Sequence, residues 1–195
     1  MRVREVPSSI AQKVLAAGEL FAERGLDQTK VEDVAEVTGI PKATLYYYFA
    51  GKEEILAFLF RDMLMEAADA VAIAIESDGN ARERLLAVIE AQLQMMSEQP
   101  AVCRALIADL GRAARLPDIG EALTNAFYTP VETLLRDGAA DGSLRTVDDP
   151  LATSVAIFGA IVISGLSHLV IGAGLPVREV VERLTELLFV GLDPR

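Results

Sequence analysis

The sequence predicts an all-α chain of about nine helices: a three-helix N-terminal helix-turn-helix domain at residues 1–51, then a helical domain at residues 52–195 built from longer elements. Three observations carry this. Apolar residues recur at helical spacing nearly throughout, and no alternating run bounded by turn residues reads as a strand. Short segments stopped by glycine fill the first fifty positions, whereas much longer ones follow. The run from Gly39 to Lys52 also combines one apolar side with one side rich in hydroxyls.

The first helix is predicted from Ser9, because Ser9-Ile-Ala-Gln12 has the form of a capping box; Ile10, Val14, Ala17 and Phe21 share a face, and Gly25 ends it. A second capping box, Thr29-Lys-Val-Glu32, opens a short helix with Val31, Val34, Ala35 and Thr38 on one side and Gly39 as its stop. Glu32 is read there as a cap. The third short helix runs from about Pro41 to Phe49. Beyond Gly51, helices are predicted at about 52–77, 80–98, 100–112, 117–139, 150–172 and 176–190. Asn80-x-x-Glu83, Asp149-Pro150 and Pro176 supply their starts, and Gly79, Gly138, Gly142 and Gly174 mark breaks.

With 52% hydrophobic and 24% charged residues, the chain has a globular composition, and 195 residues suffice for one large or two small domains. The net charge of −11 speaks against a polyanionic partner until its distribution is read. Residues 1–52 hold seven Lys/Arg against seven Asp/Glu, so the acidity lies wholly behind them. Between Val37 and Lys52 there is no acidic side chain, and Lys42 and Lys52 bracket Tyr46, Tyr47 and Tyr48. A local cationic surface is expected there.

Several classes are set aside by what the chain lacks. Cys103 is the single cysteine and His168 the single histidine, so no disulfide, no metal site and no cofactor are expected. Nucleophile-and-base chemistry would have to use His168 inside an apolar helix, and the Gly-x-Ser-x-Gly, His-Glu-x-x-His and phosphate-loop patterns are missing, so an enzyme is not expected. The start MRVREVPSSIAQK has no apolar stretch of signal-peptide length, and a cytoplasmic location is expected. Leu151 to Val177 is a stretch of 27 residues without Lys, Arg, Asp or Glu. Its glycines and serines, and the lack of a flanking basic cluster or aromatic belt, favour a helix buried on all sides over a membrane span. Ala152, Ala156, Gly159 and Ala160 would let neighbouring helices approach closely.

Placing residues at about 100° intervals, Leu45 and Phe49 of the third helix fall together and face inward. Ala43, Thr44 and Tyr47 lie opposite, flanked by Tyr46 and Tyr48. A helix lying in a major groove wants small or hydrogen-bonding side chains over the bases and longer hydroxylated ones toward the phosphates. Lys42, at the N-terminal end, is the best candidate for reading a base, with guanine O6 and N7 as preferred acceptors. Ala43 and Thr44 suit a thymine methyl. Lys52 would meet a phosphate at the start of the next helix, and Thr29, as a cap, would donate to another, with Lys30 beside it.

On these residues the segment from about 9 to 56 resembles the DNA-binding domain of the TetR family. The run from Thr29 through Leu56 follows the family pattern of Thr-Thr-Val, Asp-Ile-Ala, Gly-Val-Ser and Thr-Leu-Tyr-x-His-Phe, differing at Lys30, Pro41 and Tyr48. The rest of the chain is similar to the family in helix number and length. The resemblance implies a homodimer on palindromic, double-stranded operator DNA, usually acting as a repressor and released by a small-molecule effector.

The second domain adds its own expectations. Val177, Val180, Val181, Leu184, Leu187 and Leu188 form one apolar stripe on the last helix, and the helix before it is apolar throughout, so helices at about 150–172 and 176–190 are expected to form the homodimer interface as a four-helix bundle. Met63, Gln92, Leu93, Met96, Phe127, Tyr128 and Phe158 are the candidate lining of a largely apolar effector pocket, because soft side chains suit adaptable cavities. His168 is a further polar handle.

Overall fold

The computed structural model describes residues 5–108, 117–171 and 176–192, and among them every regular element is helical. They fall into two compact units, one comprising the chain up to Met63 with Ala101–Ile119, the other Leu64–Pro100 with the chain from Gly120 onward.

The first unit begins with α1 (Ser8–Val14) and α2 (Ala17–Gln28). They follow the path predicted for one helix. At their junction the N–H groups of Ala16 and Gly18 reach back only three residues, to the carbonyls of Lys13 and Leu15, which tightens one turn to 3₁₀ geometry. The expected capping box at Ser9 does not form. Pro7, with φ −60 and ψ 145, is the cap instead, and its carbonyl accepts from Ile10 and Ala11, since the fixed ring angle already presets the start of a helix. Gly25 has φ +71 and ψ 165, where a side chain would be strained, and this residue interrupts α2 as the sequence indicates. α3 (Val31–Thr38), α4 (Lys42–Tyr48), the first half of α5 (Lys52–Ile75) and α7 (Pro100–Ala108) complete the unit. Phe21, Leu26, Val34, Leu45, Ile55 and Phe60 are buried, each stabilising the fold by roughly 2 kcal/mol through removal of apolar surface from water.

The second unit contains the end of α5, α6 (Ala81–Glu98), the later part of α8 (Pro117–Leu123), a π-helical turn at Thr124–Tyr128, α9 (Thr129–Asp141), α10 (Pro150–Ile171) and α11 (Val177–Leu192). Residues 109–112 of the predicted 100–112 helix lie outside the described residues, as does the predicted break at Gly174. The single helix predicted at 117–139 is interrupted by the π turn. Pro130 follows directly, and its ring would collide with the Ala126 carbonyl of an ordinary α-helical turn, so the chain widens there. Gly138 is not a break: it is buried inside α9, and Gly142, at φ +76, is the left-handed residue that ends the helix.

The capping box at the start of α6 forms as predicted, with Glu83 N–H donating to Asn80 Oδ1 at 3.0 Å and Asn80 N–H to Glu83 Oε2 at 2.9 Å. The loop after α9 adds acceptors from outside: Asp141 Oδ2 takes the Ala81 N–H at 3.1 Å and Ser143 Oγ that of Arg82 at 3.3 Å. Asp141 Oδ1 also accepts from the Ser143 N–H at 2.8 Å, and the hydrogen bonds from Ser143 foremost, then that from Ala81, hold the Asp141 carboxyl below its ordinary range. Leu85, Ile89 and Leu93 of α6 pack with Phe127, Val131 and Leu134, with Ile157 and Ile161 of α10, and with Val181 and Leu184 of α11.

Two expectations about the last helices are corrected. α10 is not buried on all sides. Ser154, Ile157, Ile161 and Gly165 form one inward stripe, whereas Ala152, Ala156, Gly159, Ile163 and Ser167 form a second stripe open to solvent. Over Pro150–Leu169 the mean hydropathy is 1.8 and only 22% is buried, so length and composition alone would let this helix cross a bilayer. Leu187 likewise leaves the predicted stripe of α11: Val181 and Leu184 turn inward, while Leu187 and Val190 are 72% and 82% exposed. One unit can cover only the near side of each helix.

Candidate nucleic-acid interface

The turn between α3 and α4 is fixed by groups the local sequence supplies. Gly39, at φ +64 and ψ 19, reverses the chain in the left-handed region. The buried Thr38 hydroxyl donates to Val34 O at 2.7 Å and accepts from Ile40 N at 3.3 Å, so the turn leaves no orphaned donor there. Pro41 then caps α4, its carbonyl taking the N–H groups of Thr44 and Leu45 at 2.8 and 3.0 Å.

The faces of α4 separate as their spacing indicates. Leu45 is 1% and Phe49 3% exposed, against 51% for Tyr46 and 57% for Tyr47. Lys42 and Ala43 are exposed too, with Thr44 and Tyr48 half-buried beside them. Phe49 stacks edge-on against Phe58 of α5 at 5.5 Å between ring centres, and Tyr47 stands edge-on to Tyr48 at 4.9 Å. A short helix thus carries a continuous outward surface of one lysine, small residues and phenols, anchored by two buried side chains.

The start of α3 is one residue later than predicted, and this moves several roles. Lys30 occupies the cap position, and its N–H donates to Asp33 Oδ2 at 2.9 Å, so Asp33, not Glu32, closes the box. Thr29 is not a cap. It is fully buried, and its hydroxyl donates to Gly25 O at 2.8 Å, which takes it away from any phosphate. Lys30 remains exposed. The Lys52 ammonium donates to Asp27 O at 3.1 Å, fastening the first turn of α5 to the end of α2.

Glu32 is released by this shift and forms an ion pair with Lys42, joining the first turns of α3 and α4. The hydrogen bond from Lys42 holds the Glu32 carboxyl below its ordinary range, and the same bond raises the ammonium above its own. The Lys42 ammonium also lies 5.7 Å from the centre of the Tyr46 ring. Sequence spacing gives no hint of this pair, because its partners are ten residues apart across a turn.

The candidate effector residues divide between the units. Met63 belongs to the first, where its sulfur accepts from the Cys103 thiol at 3.6 Å. In the second, Phe127, Tyr128 and Phe158 form an aromatic cluster with ring centres 5.0 to 6.2 Å apart. Burial raises the Tyr128 phenol's pKa. Gln92 is buried on α6. Leu93 and Met96 line a cavity of about 10 Å³ together with Ser97, Gly165 and His168, room for one water. The His168 Nδ1 atom is buried without a hydrogen-bond partner. An open groove of about 800 Å³ runs beside α6, between Ala70–Ser77 of α5 and Val177–Glu182 of α11.

Residues 14–58 match the family model for bacterial regulatory proteins of the tetR family. Over 141 residues the chain is 30% identical to the HTH-type transcriptional repressor KstR2 of Rhodococcus jostii, spanning 70% of this chain and 68% of that one. The structure of the ketosteroid transcriptional regulator KstR2 of Mycobacterium tuberculosis superposes with a TM-score of 0.82 at 25% identity over the whole of both chains. That of FadR from Bacillus subtilis, in complex with stearoyl-CoA, superposes with a TM-score of 0.76 at 21% identity, over 91% of this chain and 97% of that one.

Proposed function

Because the chain belongs to the tetR family of bacterial regulatory proteins, and is therefore a DNA-binding transcription regulator rather than an enzyme, we propose that it is a cytoplasmic repressor that grips a palindromic operator as a homodimer and leaves it when a small, largely apolar ligand binds. The observation that carries the DNA half of this reading is the segregation of α4, with Leu45 and Phe49 inside and Lys42, Ala43, Tyr46 and Tyr47 outside. α4 lies in the major groove, Lys42, Ala43 and Thr44 meet base edges, and Tyr46, Tyr47, Tyr48 and Lys30 reach the phosphates. Lys52 adds a phosphate contact with the donors that its bond to Asp27 O leaves over.

The uncovered sides of α10 and α11 support the homodimer. Ala152, Ala156 and Gly159 present almost no side chain, so a second copy of α10 can approach closely, while Ile163, Leu187 and Val190 supply the apolar area that makes association worthwhile. A symmetric dimer places two recognition helices on one face of a duplex and calls for a symmetric site.

The ligand half rests on the second unit. Leu93, Met96, Phe127, Tyr128 and Phe158 offer apolar and polarisable walls, and the unpartnered His168 Nδ1 offers a hydrogen bond to a polar atom of the ligand. The relative that was crystallised with stearoyl-CoA supports a long-chain acyl compound as the first one to try. Ligand binding among these helices displaces α5, which begins in the DNA-binding unit, and so changes the separation of the two recognition helices.

Selection of bound duplexes from a random pool tests the proposal. Enrichment of one inverted repeat is expected, and stearoyl-CoA should lower its occupancy. No enriched sequence, or an asymmetric one, overturns the reading.

A further inference from the structure

Lys42 and Glu32 stand side by side at the N-terminal ends of the two helices of the helix-turn-helix, with their side chains 49% and 58% exposed. Resting on the DNA-binding reading above, we propose that this couplet reads one G·C base pair in each half-site, Lys42 donating to guanine N7 and O6 and Glu32 accepting from the cytosine N4 amino group.

Charge points to bases and not to the backbone. A lysine whose carboxylate partner touches it brings no net charge, and a phosphate approaching Lys42 would meet the Glu32 carboxylate as well. Contact with the backbone would therefore mean breaking the pair and leaving an anion against an anion. Contact with a G·C edge keeps both charges satisfied.

The pattern of donors and acceptors points to G·C in particular. In the major groove this pair shows two neighbouring acceptors on guanine and then the donor on cytosine. An ammonium with three donors answers the first two, and a carboxylate answers the third. Guanine O6 and cytosine N4 are neighbours on the groove edge, so the donor and the acceptor that engage them must come from side chains held close together, as Lys42 and Glu32 are. An A·T pair sets its amino donor beside the single purine acceptor, and so opposes the ammonium. The Tyr46 ring, 5.7 Å from the ammonium, restricts the directions in which Lys42 can swing away.

The test compares random-pool selections by the wild type, Glu32→Ala and Glu32→Gln, with thermal melts to show that the variants fold. Wild-type sites should share a G·C pair at one position of each half-site. Glu32→Ala should still bind DNA but lose roughly tenfold in preference at that position alone, the scale of one good base contact. Glu32→Gln keeps one acceptor oxygen and should fall between the two. Unchanged base preference in Glu32→Ala, with tighter binding to every sequence, would make Glu32 a general repulsive charge and overturn the couplet while leaving the regulator intact. A Glu32→Gln protein no more selective than Glu32→Ala overturns it too, and a wild type that enriches nothing removes the DNA-binding reading and the couplet together.

Discussion

Leu144 lies so close to Gly138 that a methyl group at the glycine would come within 2.6 Å of Leu144 Cδ1 and 2.8 Å of its Cβ, while the Leu144 N–H donates to Gly138 O at 2.9 Å. The chain leaving α9 folds back on the helix, and only glycine leaves room for it. Rotating the leucine cannot relieve the clash, because its Cβ is fixed by the backbone.

Gly138→Ala should therefore lose stability by about 1–3 kcal/mol through overpacking, even though alanine favours a helix by about 1 kcal/mol. Gly165→Ala is the control. There the added methyl would meet Met96 Cε and Sδ at 2.7 Å, the far end of a flexible thioether that can turn aside. Its cost should stay below about 1 kcal/mol, which chemical denaturation of both variants can rank. A reversed order would mean that the loop after α9 moves more easily than Met96.

Thr29 and Lys30 separate the cap suggested by the sequence from the one that forms. Thr29→Val removes the hydroxyl bonded to Gly25 O and should lower stability by about 1 kcal/mol, with no change in DNA affinity or in the slope of log affinity against log salt. Lys30→Ala should leave stability nearly unchanged and lower that slope by about 0.9, one phosphate contact. Weaker DNA binding by folded Thr29→Val would return its hydroxyl to the interface.

The contrast between these two residues shows what could be read from the sequence. Helix positions and the inward turn of Leu45 and Phe49 were legible because periodicity and glycine stops are local. So was the Asn80–Glu83 box, whose partners lie three residues apart. The cap at α3 slipped by one because Thr29 and Lys30 can both precede a helix, and the choice is made by Gly25 O, four residues back, which draws the threonine hydroxyl inward. The Glu32–Lys42 pair, the role of Gly138 and the outward turn of Leu187 depend on how elements meet, and no spacing rule encodes that. The π turn could have been suspected from Pro130 inside an otherwise helical stretch.

Burial raises the Cys103 thiol to about 11 against an ordinary value of 9.0, and the charge of Arg104 opposes it. The native protein keeps this proton where the unfolded chain has lost it. The associated stability is complete below pH about 9 and is lost as pH rises through about 11, amounting to roughly 2–3 kcal/mol for a shift of this size. Native protein at pH 8 should resist a thiol reagent that labels it at once in denaturant. Rapid labelling of the folded protein would show that the α7 region opens to solvent.

The solvent-facing stripe of α10 and the tip of α11 give the dimer proposal its sharpest test. Ile163 is 61% and Leu187 72% exposed, and neither belongs to the core of its own unit. Replacing either with glutamate should therefore spare the fold of the single chain, since the new carboxylate would stand in water. In a dimer the same carboxylate would be buried beside its symmetry mate, a like-charge contact without a partner that is costly in an apolar interface. Ile163→Glu and Leu187→Glu should accordingly run as monomers in light scattering, keep their helical circular dichroism, and bind an isolated half-site while losing the tighter binding that a palindrome confers. Dimers that survive both substitutions would place the interface elsewhere and leave the apolar side of α10 without an occupant.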